Sequence, residues 1–402
     1  MFWILETEDQ IKKFVSKNFK EVFIDIIPIS KTLHPSQNNV SIIYIRPINH
    51  IKGYMIGSCH NDIKNVNINL LQTFLNTFDV IYTLDKKDFL YYFIHKNVID
   101  LNFISKLNLE TISLPIYDSL DNNIVPLPKL YEVSDFKYEQ VRHLFTKPAN
   151  KFYNNQYTKV FFWIEQNGLP IKDGFLYTKF NLNTTTTRPA NSFNGINFMA
   201  LPKDSEIKKQ IIPHNDMLVE FDISAYHVIL ASKLIGYDFG GIDIHSHFSK
   251  LYNTDYKKAK ELTFKQLYGG VFEEYKNLEF FKKIEIYQDN LWDTFQHQGW
   301  IECPISFYKF YKKDLENMNP QKLFNYLLQN FETANNVTIL TKIIKLLKSK
   351  KTTIIHYVYD SFLFDIDKTE KNLIKEIGNI FLEENFQVKI SYGKSYDSLK
   401  SL

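Results

Sequence analysis

Two aspartates stand where metal-dependent chemistry would place them. Asp222 ends the stretch Leu218-Val-Glu-Phe-Asp222, in which apolar and polar residues alternate as in a half-buried strand. From Ala225 to Leu234 the spacing turns helical, with Val228, Leu230, Ala231 and Leu234 able to share a buried face. A carboxylate at a strand-to-helix junction is held rigidly beside a cleft, as a metal ligand must be; taken alone, it suits a helix cap equally well. Asp360 lies in Tyr359-Asp360-Ser361 between two apolar β runs, which reads as a hairpin with its turn at the aspartate. Between the two, Lys260, Phe264 and Tyr268 recur every four residues in a segment that Asn253 or Thr254 can cap and Gly269-Gly270 stops. Four residues turn a helix by about 400°, so one stripe carries a cation, a ring and a phenol. A core edge with a snorkelling lysine would look the same. A helix expected from Gln321 to Leu347 carries Asn325 and Gln329 on one face.

The order of these four signals resembles that of the family A DNA polymerases, the group of bacterial DNA polymerase I, over roughly Phe161 to Phe386. Asp222-Ile-Ser-Ala-Tyr-His227 is similar to the family's first motif, with His227 at its gate position. Lys260, Phe264, Tyr268 and Gly269 meet its fingers-helix pattern in full, the most specific of the matches. Asn325 and Gln329 meet its Asn-x3-Gln element, Tyr359-Asp360-Ser361 stands for its hairpin, and Thr184 and Arg188 look like its Thr-x3-Arg element.

The resemblance implies an α+β right-hand polymerase: an antiparallel palm sheet, helical fingers and a short thumb, preceded by an α/β exonuclease-like domain. The implied division is 1–128 for the exonuclease-like domain, 129–180 for the short thumb leading into the palm, 181–235 and 301–402 for the palm, and 236–300 for the fingers. It implies primer-dependent transfer of dNMP from a dNTP, templated by DNA and assisted by two Mg²⁺ ions, with Mn²⁺ as a substitute. Asp222 and Asp360 would hold the metals together with the Ile223 carbonyl, and Lys260 would face the triphosphate. His227, Phe264 and Tyr268 would contact the nucleotide; Thr184, Arg188, Asn325 and Gln329 would hold primer and template. A single-subunit RNA polymerase or a non-catalytic nucleic-acid-binding relative are the alternatives. A compact enzyme of this kind points to a viral or mobile-element source, and its short thumb to low processivity without a replication partner.

The departures from the pattern are specific. The gate is His227 where the bacterial enzymes have Glu, Ile229 replaces an arginine, Tyr256 replaces a fingers arginine, and Ser361 replaces the carboxylate after the hairpin aspartate. In the N-terminal part, Asp25 and Asp88 fall near exonuclease metal positions. The Asp-x-Glu is Asp25-Ile-Ile27, however, and no Tyr-x3-Asp follows, so an inactive domain is expected.

Around these residues the pattern places strands at 21–27, 40–45, 53–57 and 80–83, helices at 69–75 and 85–95, and a linker from Leu114 to Pro128. A helical region is expected over 138–166, helices over 278–298 and 371–384, and a last strand at 387–391. The polar run Asn181 to Asn197 is too rich in amides and hydroxyls for a core and reads as loop or extended surface. The net charge of +3 does not announce nucleic-acid binding, although lysines cluster and interleave with aromatics, as in Phe307-Tyr-Lys-Phe-Tyr-Lys. Cys59 and Cys303 lack metal spacing, which fits a reducing compartment. No apolar run reaches bilayer length and the acidic start is no signal peptide, so a cytoplasmic protein is expected, in a host cytoplasm if viral.

Overall fold

The structure is a computed structural model that describes residues 2–104 and 121–402. The first part of the expected linker, Leu114 to Leu120, lies outside the described residues. The chain divides into two compact units between Gln166 and Asn167.

The first unit is built on a mixed six-stranded sheet. In chain order it contains β1 (Trp3–Ile4), α1 (Glu8–Val15), β2 (Glu21–Pro28), β3 (Val40–Pro47), β4 (Tyr54–Gly57), α2 (Ile68–Leu75), β5 (Val80–Thr83), α3 (Lys86–Tyr92), β6 (Val98–Asp100), α4 (Leu127–Val141) and α5 (Thr158–Asn167). The strand order is β1-β4-β3-β2-β5-β6, antiparallel through β2, β3 and β4 and parallel elsewhere. Successive strand residues point to opposite faces, so β2 sends Val22 and Ile24 into one core and Phe23 and Ile27 into the other. The second core is closed by Leu127, Leu130, Tyr138 and Val141 of α4. With α4 and α5 the compact unit extends to Gln166. The helical region expected over 138–166 is interrupted: α4 ends at Val141, Pro148 cannot continue a helix, and a π-helical turn at Phe152–Tyr157 leads into α5.

The second unit continues with β7 (Leu169–Ile171), β8 (Gly174–Leu176), β9 (Phe180–Asn181), β10 (Ala190–Phe193), β11 (Ile196–Asn197), α6 (Glu206–Gln210), β12 (Met217–Ile223), α7 (Tyr226–Ile235), α8 (Ile244–Tyr252), α9 (Tyr256–Gly269), α10 (Glu279–Gln298), β13 (Trp300–Glu302), β14 (Lys309–Tyr311), α11 (Pro320–Leu347), β15 (Thr353–Val358), β16 (Ser361–Ile366), α12 (Asn372–Glu383), β17 (Val388–Gly393) and β18 (Lys400–Ser401). Its centre is an antiparallel sheet of order β15-β16-β12-β17-β18. On one face of β12, Val219, Phe221 and Ile223 are buried. Phe221 stacks on Phe381 of α12 at 5.8 Å and meets Phe364 of β16 edge-on at 5.4 Å. The other face begins with buried Leu218, packed with Leu363 and Ile355, and opens at Glu220 and Asp222. The polar run expected as extended surface forms the short meander β9, β10 and β11 with its connecting loops. Cys59 and Cys303 are both free. Among the described residues, no helix is long and apolar enough to cross a membrane.

Candidate active site

The two aspartates meet through the register of β12 and β16. Asp222 pairs with Ser361, which places Asp360 beside the end of β12, and the Ile223 amide donates to the Asp360 carbonyl at 2.8 Å. The hairpin turn is Tyr359-Asp360, and Tyr359 sits at φ +56°, a left-handed conformation that an aromatic residue adopts only under constraint. The constraints are visible. Asn336 of α11 donates to the Tyr359 carbonyl at 2.8 Å, and the Arg188 guanidinium lies 3.5 Å over the Tyr359 ring.

The electrostatics show which groups share the cleft. Desolvation raises the Asp222 carboxyl from its ordinary 3.8 to about 6, with further upward pressure from Asp360 and Glu220; Lys260 and Lys389 pull it down. Asp360 is raised as well, by desolvation first and by Glu332, against its own backbone amide, His227 and Arg188. Two carboxylates that resist ionising side by side form an all-oxygen donor set short of positive charge, which suits a hard divalent cation. Among the described residues no three His, Cys, Asp or Glu side chains gather as a metal cluster. A Mg²⁺ ion fits such a two-carboxylate site when water and phosphate oxygens complete its shell.

Helix α9 brings the Lys260, Phe264 and Tyr268 stripe toward this cleft. Asp255 caps it, accepting from the Lys258 amide, one residue beyond the caps expected from the sequence. Its buried face is Ala259, Thr263, Gln266 and Leu267, so the stripe is not a core edge. Phe264 and Tyr268 lie nearly parallel, centroids 6.2 Å apart, and the Phe264 ring lies tilted beside His245, centroids 6.1 Å apart. The Tyr268 hydroxyl hydrogen-bonds His227 Nδ1 at 2.6 Å.

The remaining expected residues are engaged within the protein. Thr184 donates to the Arg188 carbonyl at 2.7 Å, shaping its own loop. Thr186, rather than Thr184, reaches Gln329, donating to it at 3.0 Å. Asn325 approaches the Tyr268 carbonyl at 3.5 Å, and the Arg188 side chain is engaged by Glu332.

Glu332 and Glu220 are the groups that sequence reasoning missed. Glu332 is 1% exposed; burial pushes its carboxyl up, but its contacts with His227 and Arg188 outweigh that and hold it below the ordinary range. Its signal was the polar run Glu332, Thr333, Asn335, Asn336 in the middle of a long helix, where buried polar groups demand partners. Glu220 accepts from the Ser361 hydroxyl at 2.7 Å, so a carboxylate stands diagonally across the strand pair from the position where Ser361 lacks one.

In the first unit Asp25 is engaged by its neighbours. Lys137 reaches both of its carboxylate oxygens, at 2.8 and 3.0 Å, and Ser134 donates at 2.7 Å. Asp88 lies in the first turn of α3, its amide bonded to the Asp85 cap.

Compared by sequence, the chain matches no protein-family model and no curated protein. Compared by structure, it is similar to the POL domain of Pol1 from M. smegmatis, solved in complex with DNA primer-template and dNTP, with a TM-score of 0.73 and 99% of each chain covered. Identity over that match is 11%, so the likeness establishes the fold: a mixed α+β polymerase fold of the kind the sequence resemblance implied.

Proposed function

We infer that the protein is a template-directed, primer-dependent DNA polymerase, and that Asp222 and Asp360 are its catalytic carboxylates. The observation that carries the reading is their meeting at adjacent strand ends beside Lys260, in a chain whose whole length follows a polymerase fold. In the reaction the oxygen of a primer 3′ hydroxyl forms a bond to the α-phosphorus of a dNTP. The bond to the bridging oxygen of the β-phosphate breaks, and pyrophosphate leaves.

Bound between Asp222, Asp360 and the Ile223 carbonyl, two Mg²⁺ ions, or Mn²⁺ in their place, would stabilise the attacking and leaving oxygens. The chain's own residues do the positioning. Lys260 offsets charge on the departing pyrophosphate, Phe264 and Tyr268 offer ring faces to the sugar and base, and His227 stands at the sugar edge. Thr184, Arg188, Asn325 and Gln329 line the side on which primer and template lie, with Arg188 acting through Tyr359 and the catalytic turn. Sequence is read by base pairing, so these contacts position without specifying.

The domains follow the same reading. Residues 1–128 form an exonuclease-like domain whose Asp25 is occupied by Lys137, which supports an inactive nuclease. Residues 129–180 form the short thumb, 236–300 the fingers, and 181–235 with 301–402 the palm. The setting is a cytoplasm, with a viral or mobile-element source and a replication partner that supplies processivity. Primer extension on a DNA template with Asp222→Ala and Asp360→Ala tests the centre of this reading. Both variants lose Mg²⁺-dependent extension and keep DNA binding; wild-type extension by either one refutes it. A preference for rNTPs without a primer would turn the reading toward an RNA polymerase.

A further inference from the structure

His227 stands at the gate position, where the bacterial enzymes have Glu. The structure holds that ring from two sides. Its Nδ1 is 2.6 Å from the Tyr268 hydroxyl, and its Nε2 is 3.2 Å from Glu332 Oε2. The second contact lacks the alignment of a full hydrogen bond and is chiefly electrostatic. An ionised carboxylate only accepts, so it favours the proton on Nε2 and leaves Nδ1 to accept from the phenol. Glu332, 1% exposed, has its carboxylate faced by His227 and Arg188. Arg188 binds it through Nη2 at 3.1 Å and Nε at 2.7 Å, while its plane covers the Tyr359 ring beside Asp360.

We propose that Glu332 is a specificity-determining positioning residue: by fixing the His227 ring between itself and Tyr268, it makes that ring a rigid barrier to a ribose 2′ hydroxyl and so selects deoxyribonucleotides. The proposal rests on the reading of His227 as the group at the sugar edge. A ring tethered at one nitrogen can swing to admit an extra oxygen; one tethered at both cannot do so without losing a contact to a buried charge. The same carboxylate braces Arg188 over the catalytic turn, so its loss is expected to slow both substrates, and the ratio between them is the specific readout.

The experiment compares single-nucleotide incorporation of matched dNTP and rNTP by wild type, Glu332→Gln, His227→Ala and the double variant. Glu332→Gln should lower the dNTP/rNTP ratio of kcat/KM about tenfold, the effect of one contact to a charged group. In the His227→Ala background it should change the ratio by less than about twofold, because the two residues act as one unit. Glu332→Asp, which keeps a charge beside Arg188 but withdraws it by one methylene, should move the ratio in the same direction and guards against a folding failure of the glutamine variant. An unchanged ratio in both Glu332 variants, or an equal fall with and without His227, overturns the proposal. ¹⁵N spectra of the His227 imidazole give an arm independent of turnover. Wild type should show the Nε2–H form and Glu332→Gln a shifted, mobile ring; identical spectra overturn the positioning role whether or not the protein extends primers. Absence of any extension by wild type would instead count against the polymerase reading.

Discussion

Replacing Asp222 with Asn should make the protein inactive and more stable at once. The native carboxyl is raised from its ordinary 3.8 to about 6, mainly by desolvation and then by Asp360 and Glu220, so at neutral pH the fold carries a charge it would shed if it could. At about 1.36 kcal/mol per pH unit the ceiling on this cost is roughly 3 kcal/mol; the side chain is partly exposed, and solvent screening brings it to roughly 1 kcal/mol. The sign follows from linkage. Below the unfolded value of 3.8 both states hold the proton and the substitution gains nothing. Between 3.8 and about 6 the unfolded chain ionises while the folded one resists, so wild-type stability falls relative to the variant. Above 6 the difference levels off. In chelator at pH 8, Asp222→Asn should therefore melt about 2–4 °C above wild type, and the gap should close near pH 3.5. Added Mg²⁺ should reverse the order, because a ligand at a hundred times its Kd stabilises the wild-type fold by about 2.7 kcal/mol and the variant lacks half the donor pair. A variant less stable than wild type in chelator at pH 8, or a stability gap independent of pH, would refute the account of this site as a pair of carboxylates short of a cation.

Lys260→Ala should lower the rate of incorporation by about a hundredfold to a thousandfold at saturating dNTP, since it removes charge that offsets the leaving group. Because Lys260 also pulls the Asp222 carboxyl down, the acidic limb of the pH–rate profile should move to higher pH in that variant; an unmoved limb would separate the two residues. Phe221→Ala, at a fully buried ring between Phe364 and Phe381, should cost about 3–5 kcal/mol in urea unfolding, and a loss under 1 kcal/mol would mean that β12 is not packed as described. Asp25→Ala should leave degradation of DNA 3′ ends at the wild-type background while costing about 1–3 kcal/mol, because it strands Lys137 beside the sheet; a drop in nuclease activity would show that Asp25 is catalytic after all.

What the sequence made legible was local. The hairpin at Asp360 shows in its two apolar runs, and α9 shows in its cap, its four-residue stripe and its double glycine, with observed limits within a residue or two of those expected. The helix expected over 321–347 is α11 to within one residue, because a proline at its first turn and a capping Asn319 mark its start. What stayed hidden was the partner of each charge. Arg188 and Glu332 are 144 positions apart, and nothing in either neighbourhood names the other; the packing of α11 under the Tyr359-Asp360 turn joins them. Glu220 escaped notice for a different reason. In an alternating strand an outward glutamate is the ordinary choice, and its meaning appears only when the register sets it diagonal to Ser361. The helical region expected over 138–166 breaks because its apolar spacing persists across Pro148, which the backbone cannot carry through a helix.

The order of strands in the second sheet has a consequence for the timing of synthesis. Among the described residues β12, which carries Asp222, pairs with β16 and β17, segments that emerge from the ribosome more than a hundred residues later. Until they arrive, the strand Leu218–Asp222 lacks both of its strand neighbours and only Leu218 has earlier residues, Leu169, Phe198 and Ile211, to pack against, while the first unit can already close on itself. The leading unit can therefore form while the strand that carries Asp222 still waits for its partners. A polypeptide that ends before Gly393 lacks part of the pairing that β12 makes with β17 and should be the more prone to aggregate.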